Sequence, residues 1–263
     1  MLFCKAEVIS QTIKGNLNVV NEERPSLQVK NLSINGNFNI YIVEGTNEKL
    51  ILETDDNLLS VIETFVKDST LYIEATQKIK NLTVLNVFLT LTQLNKISLS
   101  GTSNIFFYSN ITENLDIITD NENTEMKLLI SNANLNCNIN GLGFVEIKGI
   151  FQNLSLNVDD ESTLTIDVVT KTLTCNLSDM SMGSFYGNTE KLNIRLNEDS
   201  YLNAFNLLAK DCEIDINGLA AAKINVSDKL IINGVRGGFI QYKGEPNINL
   251  ANSVEESLIK NKK

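Results

Sequence analysis

The residues best suited to chemistry in this 263-residue chain are acidic. Asp159, Asp160 and Glu161 form the densest acidic group, and Glu198 and Asp199 follow further along the chain. Paired carboxylates can act as a general acid and a general base, and several convergent carboxylates can bind calcium. A solvated turn that keeps an acidic protein soluble has the same composition. We favour the solvated turn, because no series of carboxylates continues through the sequence between the two groups.

Aromatic side chains are the second candidate, because sugar rings stack on aromatic faces. The chain contains 11 Phe, 6 Tyr and no Trp. Tyr108, Phe144, Tyr186 and Tyr201 are spaced so that they could align on one face as a weak stacking stripe. Ordinary packing between strands would use the same residues. These four aromatic residues, with Asp159 and Asp160, are the predicted ligand-contact residues.

The overall composition excludes several classes of function. Without histidine there is no imidazole for a Ser/His or Cys/His nucleophile pair, and no His-ligated zinc. The formal net charge is -10 and there is no basic stripe, so we predict no nucleic-acid partner. The sequence contains no run of 18 or more apolar residues, so no transmembrane helix is predicted. We predict no catalytic residue, no metal site and no cofactor, although acids alone could still catalyse.

The elements that must position these residues are strands, because apolar and polar residues alternate almost everywhere. A repeat of about 19 or 20 residues runs through the second half of the chain. Each repeat has two apolar residues separated by one polar residue, then a small or polar turn, then a second short strand. The first apolar position recurs at Ile97, Ile117, Cys137, Leu156, Cys175, Ile194, Ile214 and Ile232, and the second at Leu99, Thr119, Ile139, Val158, Leu177, Leu196, Ile216 and Gly234.

A repeat of this length cannot bury its apolar face alone, so copies are expected to stack. We predict an all-β fold, a right-handed parallel β-helix with rungs of about 20 residues and a strand-rich N-terminal half. An antiparallel β-sandwich is the alternative, since alternation also fits that fold. Asparagine is abundant, and it tolerates left-handed backbone and can hydrogen-bond along a stack. We therefore interpret the asparagines as turn residues repeated at the corners of the column.

Three cysteines, Cys137, Cys175 and Cys212, fall on apolar positions of the repeat. Cys137 and Cys175 would lie two rungs apart, about 9–10 Å at the usual strand spacing. That separation is too long for a disulfide. We predict that all three are thiols in the core.

The chain is predicted to form one domain, because no Gly/Ser linker or Pro cluster divides it. We divide it into an extension at 1–15 and a single domain at 16–263. The domain comprises a strand-rich half at 16–92, regular rungs at 93–246 and a C-terminal cap at 247–263. Asp55–Ile62 could hold one short helix. The first residues lack the basic segment and apolar stretch of a signal peptide, so we expect a form trimmed of its leader.

Several stretches of the chain resemble the auto-transporter adhesin family with the head GIN domain, a group common in Bacteroidetes. Their order and spacing match from about residue 16 to the C-terminus, although some turns, such as Asp159-Asp160, lack the family's glycine. The resemblance implies a β-helix, an extracytoplasmic location and an adhesive role, and it supplies no catalytic residues. The stretches are Leu32–Ile42, Leu50–Leu59, Asp68–Ile73, Ser100-Gly101, Asn140-Gly141, Asn217-Gly218 and Ile240–Pro246.

These features predict a non-catalytic, adhesin-like module outside the cytoplasm that binds a cell-surface glycan or protein. One alternative is a polysaccharide-processing enzyme or carbohydrate-binding domain that uses acids and aromatics on one face. Another is a purely structural scaffold. The oligomeric state is left open.

Overall fold

The computed structural model describes residues 12–25, 28–109, 114–120, 124–251, 254 and 258–262. The strands of the first half are β1 (Thr12–Lys14), β2 (Val19–Arg24), β3 (Asn31–Asn35), β4 (Asn39–Glu44), β5 (Lys49–Asp55), β6 (Ile62–Lys67), β7 (Thr70–Ala75), β8 (Lys78–Lys80) and β9 (Leu85–Leu91). The remaining strands are β10 (Lys96–Ser100), β11 (Asn104–Ser109), β12 (Leu115–Asp120), β13 (Thr124–Asn140), β14 (Gly143–Val158), β15 (Thr163–Leu177), β16 (Met182–Leu196), β17 (Tyr201–Asn217), β18 (Ala221–Arg236), β19 (Phe239–Lys243), β20 (Asn247–Leu250) and β21 (Ile259–Asn261).

From β10 onward the strands pair in parallel, each with the equivalent strand one rung away. The result is a β-solenoid of about eight turns with rungs of about 19 residues. The predicted β-helix is therefore confirmed, and the parallel pairing excludes the antiparallel sandwich. The long strands β13 to β18 each bend once and so contribute to both faces of the solenoid.

The first predicted apolar column is confirmed from Ile97 to Ile232 by the strand register. The second column is confirmed as far as Ile216, but its last predicted member is wrong. A bulge in β18 leaves Asn233 outside the register, so Val235 rather than Gly234 pairs with Ile216. The side chain of Asn233 instead donates a hydrogen bond to Glu213 at 2.8 Å.

The N-terminal half extends the same apolar columns, although its strands do not follow the period of about 20 residues. Strand β3 pairs with β10, so that Leu32 stacks on Ile97, and β4 pairs with β11. Strands β7 and β9 add a further parallel layer against β3 and β4. Beyond them β5 and β6 run antiparallel to β9 and β7, and β2 runs antiparallel to β5. These reversed strands cover the N-terminal end of the solenoid.

The predicted short helix is present as a 3-10 helix at Asp56–Val61. Its first residues hold the N-terminal segment in place. The carboxylate of Asp56 accepts hydrogen bonds from Asn16 at 2.6 Å and Asn18 at 2.8 Å, and these bonds lower the pKa of Asp56. Asn57 donates to the carbonyl of Lys14 at 2.8 Å. Asp56 and Asn57 thus have a structural role.

The solenoid has two edges of different construction. At the turn edge, four residues connect successive rungs, at 140–143, 159–162, 178–181, 197–200 and 217–220. At the corner edge, the strand continues through a bend, at 149–152, 168–171, 187–190 and 207–210. The two edges lie on opposite sides of a core that includes both apolar columns.

Asparagines lie at several rung turns, but they do not adopt the left-handed backbone there that the sequence predicts. The left-handed position of each turn holds Gly or an acid, as at Gly141 and Asp160, and Asn140 comes one residue earlier. The expected stacking of Asn side chains is confirmed, but on a strand. Asn157 donates to Asn138 at 2.8 Å, and Asn176 donates to Asn157 at 2.6 Å. Asparagine here serves mainly to connect rungs, since each amide can donate to one neighbour and accept from the other.

Candidate functional site

The turn edge brings together more acids than the sequence suggested. Asp160, Asp179 and Glu198 occupy the left-handed position of three successive turns, with φ of 64°, 55° and 59°. A cavity of about 440 Å³ lies among these three residues and Glu161, Met180 and Asp199. The expectation that no series of carboxylates links the two acidic groups is wrong, because Asp179 fills the rung between them.

Two of these carboxyl groups, those of Asp179 and Glu198, are hydrogen-bonded to each other. Asp179 accepts a hydrogen bond from the carboxyl group of Glu198, and a further side-chain hydrogen bond with Asp159 adds to it, so the pKa of Asp179 is lowered. The same hydrogen bond, with the charge of Asp179 close by, raises the pKa of Glu198. Two adjacent carboxylates cannot both ionise easily, and here one remains protonated to a higher pH.

The geometry of this pair favours an acidic surface over a catalytic one. Glycoside hydrolases hold their two carboxyl groups about 5 Å or more apart, so that the scissile bond or a water lies between them. Asp179 and Glu198 are instead hydrogen-bonded to each other, and neither is buried. In the described part of the chain, no grouping of three or more His, Cys, Asp or Glu residues is placed to hold a metal ion.

The four predicted aromatic residues separate into two outward columns. Phe144 and Tyr201 belong to one column, with Thr163 and Met182 between them. The same column continues through Ala221 to Phe239. Phe144 and Met182 are 42% and 50% exposed, and Phe239 is 41% exposed. Half-exposed apolar side chains therefore recur along one line beside the turn edge.

The neighbouring turns widen this apolar line. Leu142, Met180 and Leu219 are all exposed, and they alternate with the acids Glu161 and Asp199 at the same turn position. We call this surface the apolar ridge. It comprises Phe144, Met182, Tyr201 and Phe239 from the column, and Leu142, Met180 and Leu219 from the turns.

Tyr108 and Tyr186 lie in a second outward column. Their column runs from Tyr108 through Leu129, Lys148 and Asp167 to Tyr186. Both tyrosines are exposed, but the three residues between them keep them apart. They do not form a continuous stacking surface with each other or with the ridge.

An aromatic stack in the N-terminal half has no signal in the local sequence. The Tyr41 ring lies between Phe88 and Phe106, with ring centroids 5.1 and 5.0 Å apart and planes within 17°. Lys127 lies 5.7 Å from the Phe106 centroid. The three rings come from β9, β4 and β11, which are distant in sequence, so no local pattern indicates the stack. Because Tyr41 is covered on both faces, its ring offers only an edge to a ligand.

The three cysteines at 137, 175 and 212 are buried and free, as predicted. Burial raises the pKa of each thiol far above its ordinary value. The thiolate is the reactive form of cysteine, so these groups are inert while the chain is folded.

The protein is therefore a β-solenoid whose exposed apolar and acidic side chains recur on outward columns and at the turns between rungs. The chain belongs to the family described as "Putative auto-transporter adhesin, head GIN domain", whose sequence profile matches residues 29–246. No functionally curated protein matches the sequence. In the described residues, no helix is long and apolar enough to cross a membrane.

Solved structures from Bacteroidetes share the fold at low identity. A "putative adhesin" from Parabacteroides merdae is 19% identical with a TM-score of 0.71, covering 97% of this chain and 100% of its own. A second "putative adhesin", from Parabacteroides distasonis, is 16% identical with a TM-score of 0.72, covering 96% and 100%. A "putative lipid binding protein" from the same species is 17% identical with a TM-score of 0.64, again covering 96% and 100%.

Proposed function

We propose that this chain is a non-catalytic, adhesin-like binding module that works outside the cytoplasm and holds a cell-surface glycan or protein on the apolar ridge. The observation that carries the proposal is the single column in which Phe144, Met182, Tyr201 and Phe239 recur beside the turn edge. Membership of the adhesin family supports the same role and the same location.

The ridge has the composition of a binding surface. Aromatic residues and Met are enriched at interfaces, and exposed apolar side chains that recur along one line among polar residues are typical of a binding surface. Glu161 and Asp199 are such polar residues within the turns. Burying one half-exposed Phe or Met stabilises a complex by about 1–2 kcal/mol, so several together give a useful affinity.

The solenoid also keeps the ridge rigid. Strand pairing positions the backbone of each column residue from both neighbouring rungs, as for Met182 between Thr163 and Tyr201. A preorganised surface loses little conformational entropy on binding. An extended partner can therefore contact several rungs at once without reordering the protein.

The test is a set of ridge substitutions with a matched set at the corner edge. The ridge variant is F144S/M182Q/F239S, and the control is I150S/V169S, at two residues that are 52% and 50% exposed. Purified proteins are applied to arrays of glycans and extracellular-matrix proteins. We expect the ridge variant to lose binding by about tenfold or more, because it removes the apolar contacts, and the control to bind normally.

Circular dichroism and thermal melting are the control that checks whether both variants remain folded. Equal losses in the ridge variant and in the control would contradict the proposal. Turnover of any glycan that is abolished by Asp159→Asn or Asp160→Asn would contradict its non-catalytic part and favour the polysaccharide-processing alternative.

A further inference from the structure

A group of lysines surrounds one aromatic ring at the C-terminal end of the solenoid. The ammonium group of Lys243 lies 4.5 Å from the centroid of Phe205, and those of Lys262 and Lys223 lie 5.7 and 6.0 Å from it. Lys223 is also 5.7 Å from the ring of Tyr201, which belongs to the ridge. Three cations thus converge on one half-buried ring.

The register of the strands explains why they converge. Lys223 shares an outward column with Gln241 and Lys260. Lys262 lies one rung beyond Lys243, since its backbone N–H donates to the carbonyl oxygen of Tyr242 at 2.8 Å. These lysines therefore occupy three successive rungs, with rungs about 4.8 Å apart. We call Lys223, Lys243, Lys260 and Lys262 the lysine patch.

No acidic side chain of the described residues forms a salt bridge with the patch. Among the described residues the salt bridges join Arg24 to Glu22, Lys127 to Glu125 and Lys148 to Glu146, and none includes a lysine of the patch. Like charges on neighbouring rungs repel each other even in water, and a bound anion would relieve the repulsion between the lysines. A concentrated positive patch is a marked exception on a chain of net charge -10.

We infer that the lysine patch binds the carboxylate or sulfate groups of an acidic polysaccharide. The inference rests on the proposed function and narrows its partner class. Cations that recur on successive rungs can meet anionic groups that recur along an extended chain. Tyr201, at the border of the patch, provides apolar surface next to the cations, where the C–H face of a sugar ring can pack. The patch adjoins the ridge at Tyr201, so one polymer can contact both.

The surrounding charges favour a thin polymer over a membrane. An anionic bilayer is broad and would also face the acidic turn edge, which begins at Asp199 only two residues before Tyr201. Carboxylates there repel an anionic surface. A single chain lying across the rungs can contact the lysines while avoiding those acids.

The experiment compares polygalacturonate and heparin with neutral dextran, using calorimetry at two salt concentrations. The test variant is K223Q/K243Q/K262Q, and the control, K127Q/K148Q/K171Q, makes the same change in net charge elsewhere. We expect the patch variant to bind acidic polymers about tenfold or more weakly, because charge-assisted contacts are lost. Binding should also weaken as salt rises, while the control binds normally. Phe205→Leu, which keeps an apolar side chain, should weaken binding less than the triple change.

Several results would overturn the inference. They are no binding of acidic polymers by the wild type, equal binding of dextran, or equal losses in the control. Binding of phosphatidylglycerol vesicles without binding of polymers, or self-association that the patch variant abolishes, would assign the lysines to a different partner. If the patch variant binds acidic polymers normally while the ridge variant still fails on the arrays, the inference falls and the proposed function stands. A ridge variant that binds normally, with a defective patch variant, would overturn the role of the ridge and leave the lysine patch as the binding surface.

Discussion

The turn edge and the corner edge both reverse the chain, but they place different demands on side chains. At the turn edge, Asp160 and Glu198 adopt left-handed backbone with their side chains exposed to water. At the corner edge the chain passes close to the rung below. A Cβ on Gly187, at φ 101°, would overlap the carbonyl oxygen of Val168. Packing therefore dictates glycine at Gly187, and also at Gly218 of the turn edge, where a Cβ would meet the backbone of Glu198. Asp160 and Glu198 occupy turn positions at which the side chain lies in solvent instead.

The corner edge also contains buried hydroxyl groups that hold the bend. The Thr170 hydroxyl donates its one hydrogen to the carbonyl oxygen of Thr172 at 3.0 Å, and the carbonyl oxygen of Gln152 at 3.3 Å is the alternative acceptor. Thr189, one rung on, makes the same bond to Lys191 at 3.0 Å. The turn edge has buried hydroxyl groups as well, since Ser162 donates to the carbonyl oxygen of Gly141 at 2.6 Å and Ser181 donates to that of Ser178 at 2.7 Å.

The largest expected effect is at the corner edge. Gly187→Ala should lower the free energy of unfolding by about 3 kcal/mol or more, because the added Cβ overlaps backbone that cannot easily move. The control is Asp179→Ala at the turn edge, also at positive φ, which should cost less than about 1 kcal/mol. Urea denaturation measures both. Equal losses would show that the two edges are equally constrained.

A smaller effect is expected for the corner threonines. Thr170→Val and Thr189→Val should each cost about 1–2 kcal/mol, since each removes a buried hydroxyl that satisfies strand carbonyls. Thr165→Val is the control, because Thr165 faces outward on β15. Chemical denaturation of the three variants tests this. If Thr165→Val were as costly as the other two, the hydroxyl bonds at the bend would not explain the loss.

At the turn edge, removing a side chain at positive φ should increase stability rather than lower it. Asp160→Gly should raise stability by up to about 1 kcal/mol, because glycine adopts φ near 64° without strain. Asp160→Ala retains a Cβ and should give no gain. Thermal melting distinguishes the two variants. A gain for alanine equal to that for glycine would mean that charge, rather than backbone conformation, limits this turn.

The smallest effect concerns pH and the Asp179–Glu198 pair. Glu198, with its raised pKa, contributes to stability when protonated, and loses that contribution as pH rises through its raised pKa. Asp179, with its lowered pKa, contributes when ionised, and loses that contribution as pH falls through its lowered pKa. The hydrogen bond should therefore be most stabilising between the two values.

Carboxyl carbon NMR can test this pair directly. Glu198 should titrate above the ordinary range in the wild type and return toward it in Asp179→Asn, where the partner carries no charge. Glu198→Gln should preserve a donor and remove the loss of stability at high pH, while the loss at low pH, which comes from Asp179, should remain. An unchanged Glu198 midpoint in Asp179→Asn would show that the two carboxyl groups are not coupled.

The regular half of the fold could be predicted from sequence because its period is carried by apolar residues. The step from Ile97 to Ile117 to Cys137 is the rung length itself, and strand pairing follows from it. The bulge at Asn233 is not predicted, because the small Gly234 fits the expected position two residues after Ile232, while the apolar Val235 comes three residues after it and breaks the local alternation. Only the pairing shows which residue the column skips.

The N-terminal half and the acidic turn were harder for different reasons. Leu32 stacks on Ile97, which is far along the chain, because reversed strands intervene. A search for a fixed period cannot detect that pairing. In the sequence, Asp179 belongs to a short polar turn and has no acidic neighbour. The stacking of the rungs places it between Asp160 and Glu198, where the three acids form one line. Side chains on neighbouring rungs act together although the sequence separates them by a full repeat.

The three buried thiols can report local opening of the solenoid. Cys137, Cys175 and Cys212 lie on β13, β15 and β17, so they sample the solenoid at intervals along its axis. A thiol reagent can reach each of them only after its own rungs separate, and the rate of modification then reports the free energy of that opening. Mass spectrometry of the labelled peptides would show whether the solenoid frays from its ends or opens as a unit, with no engineered probe.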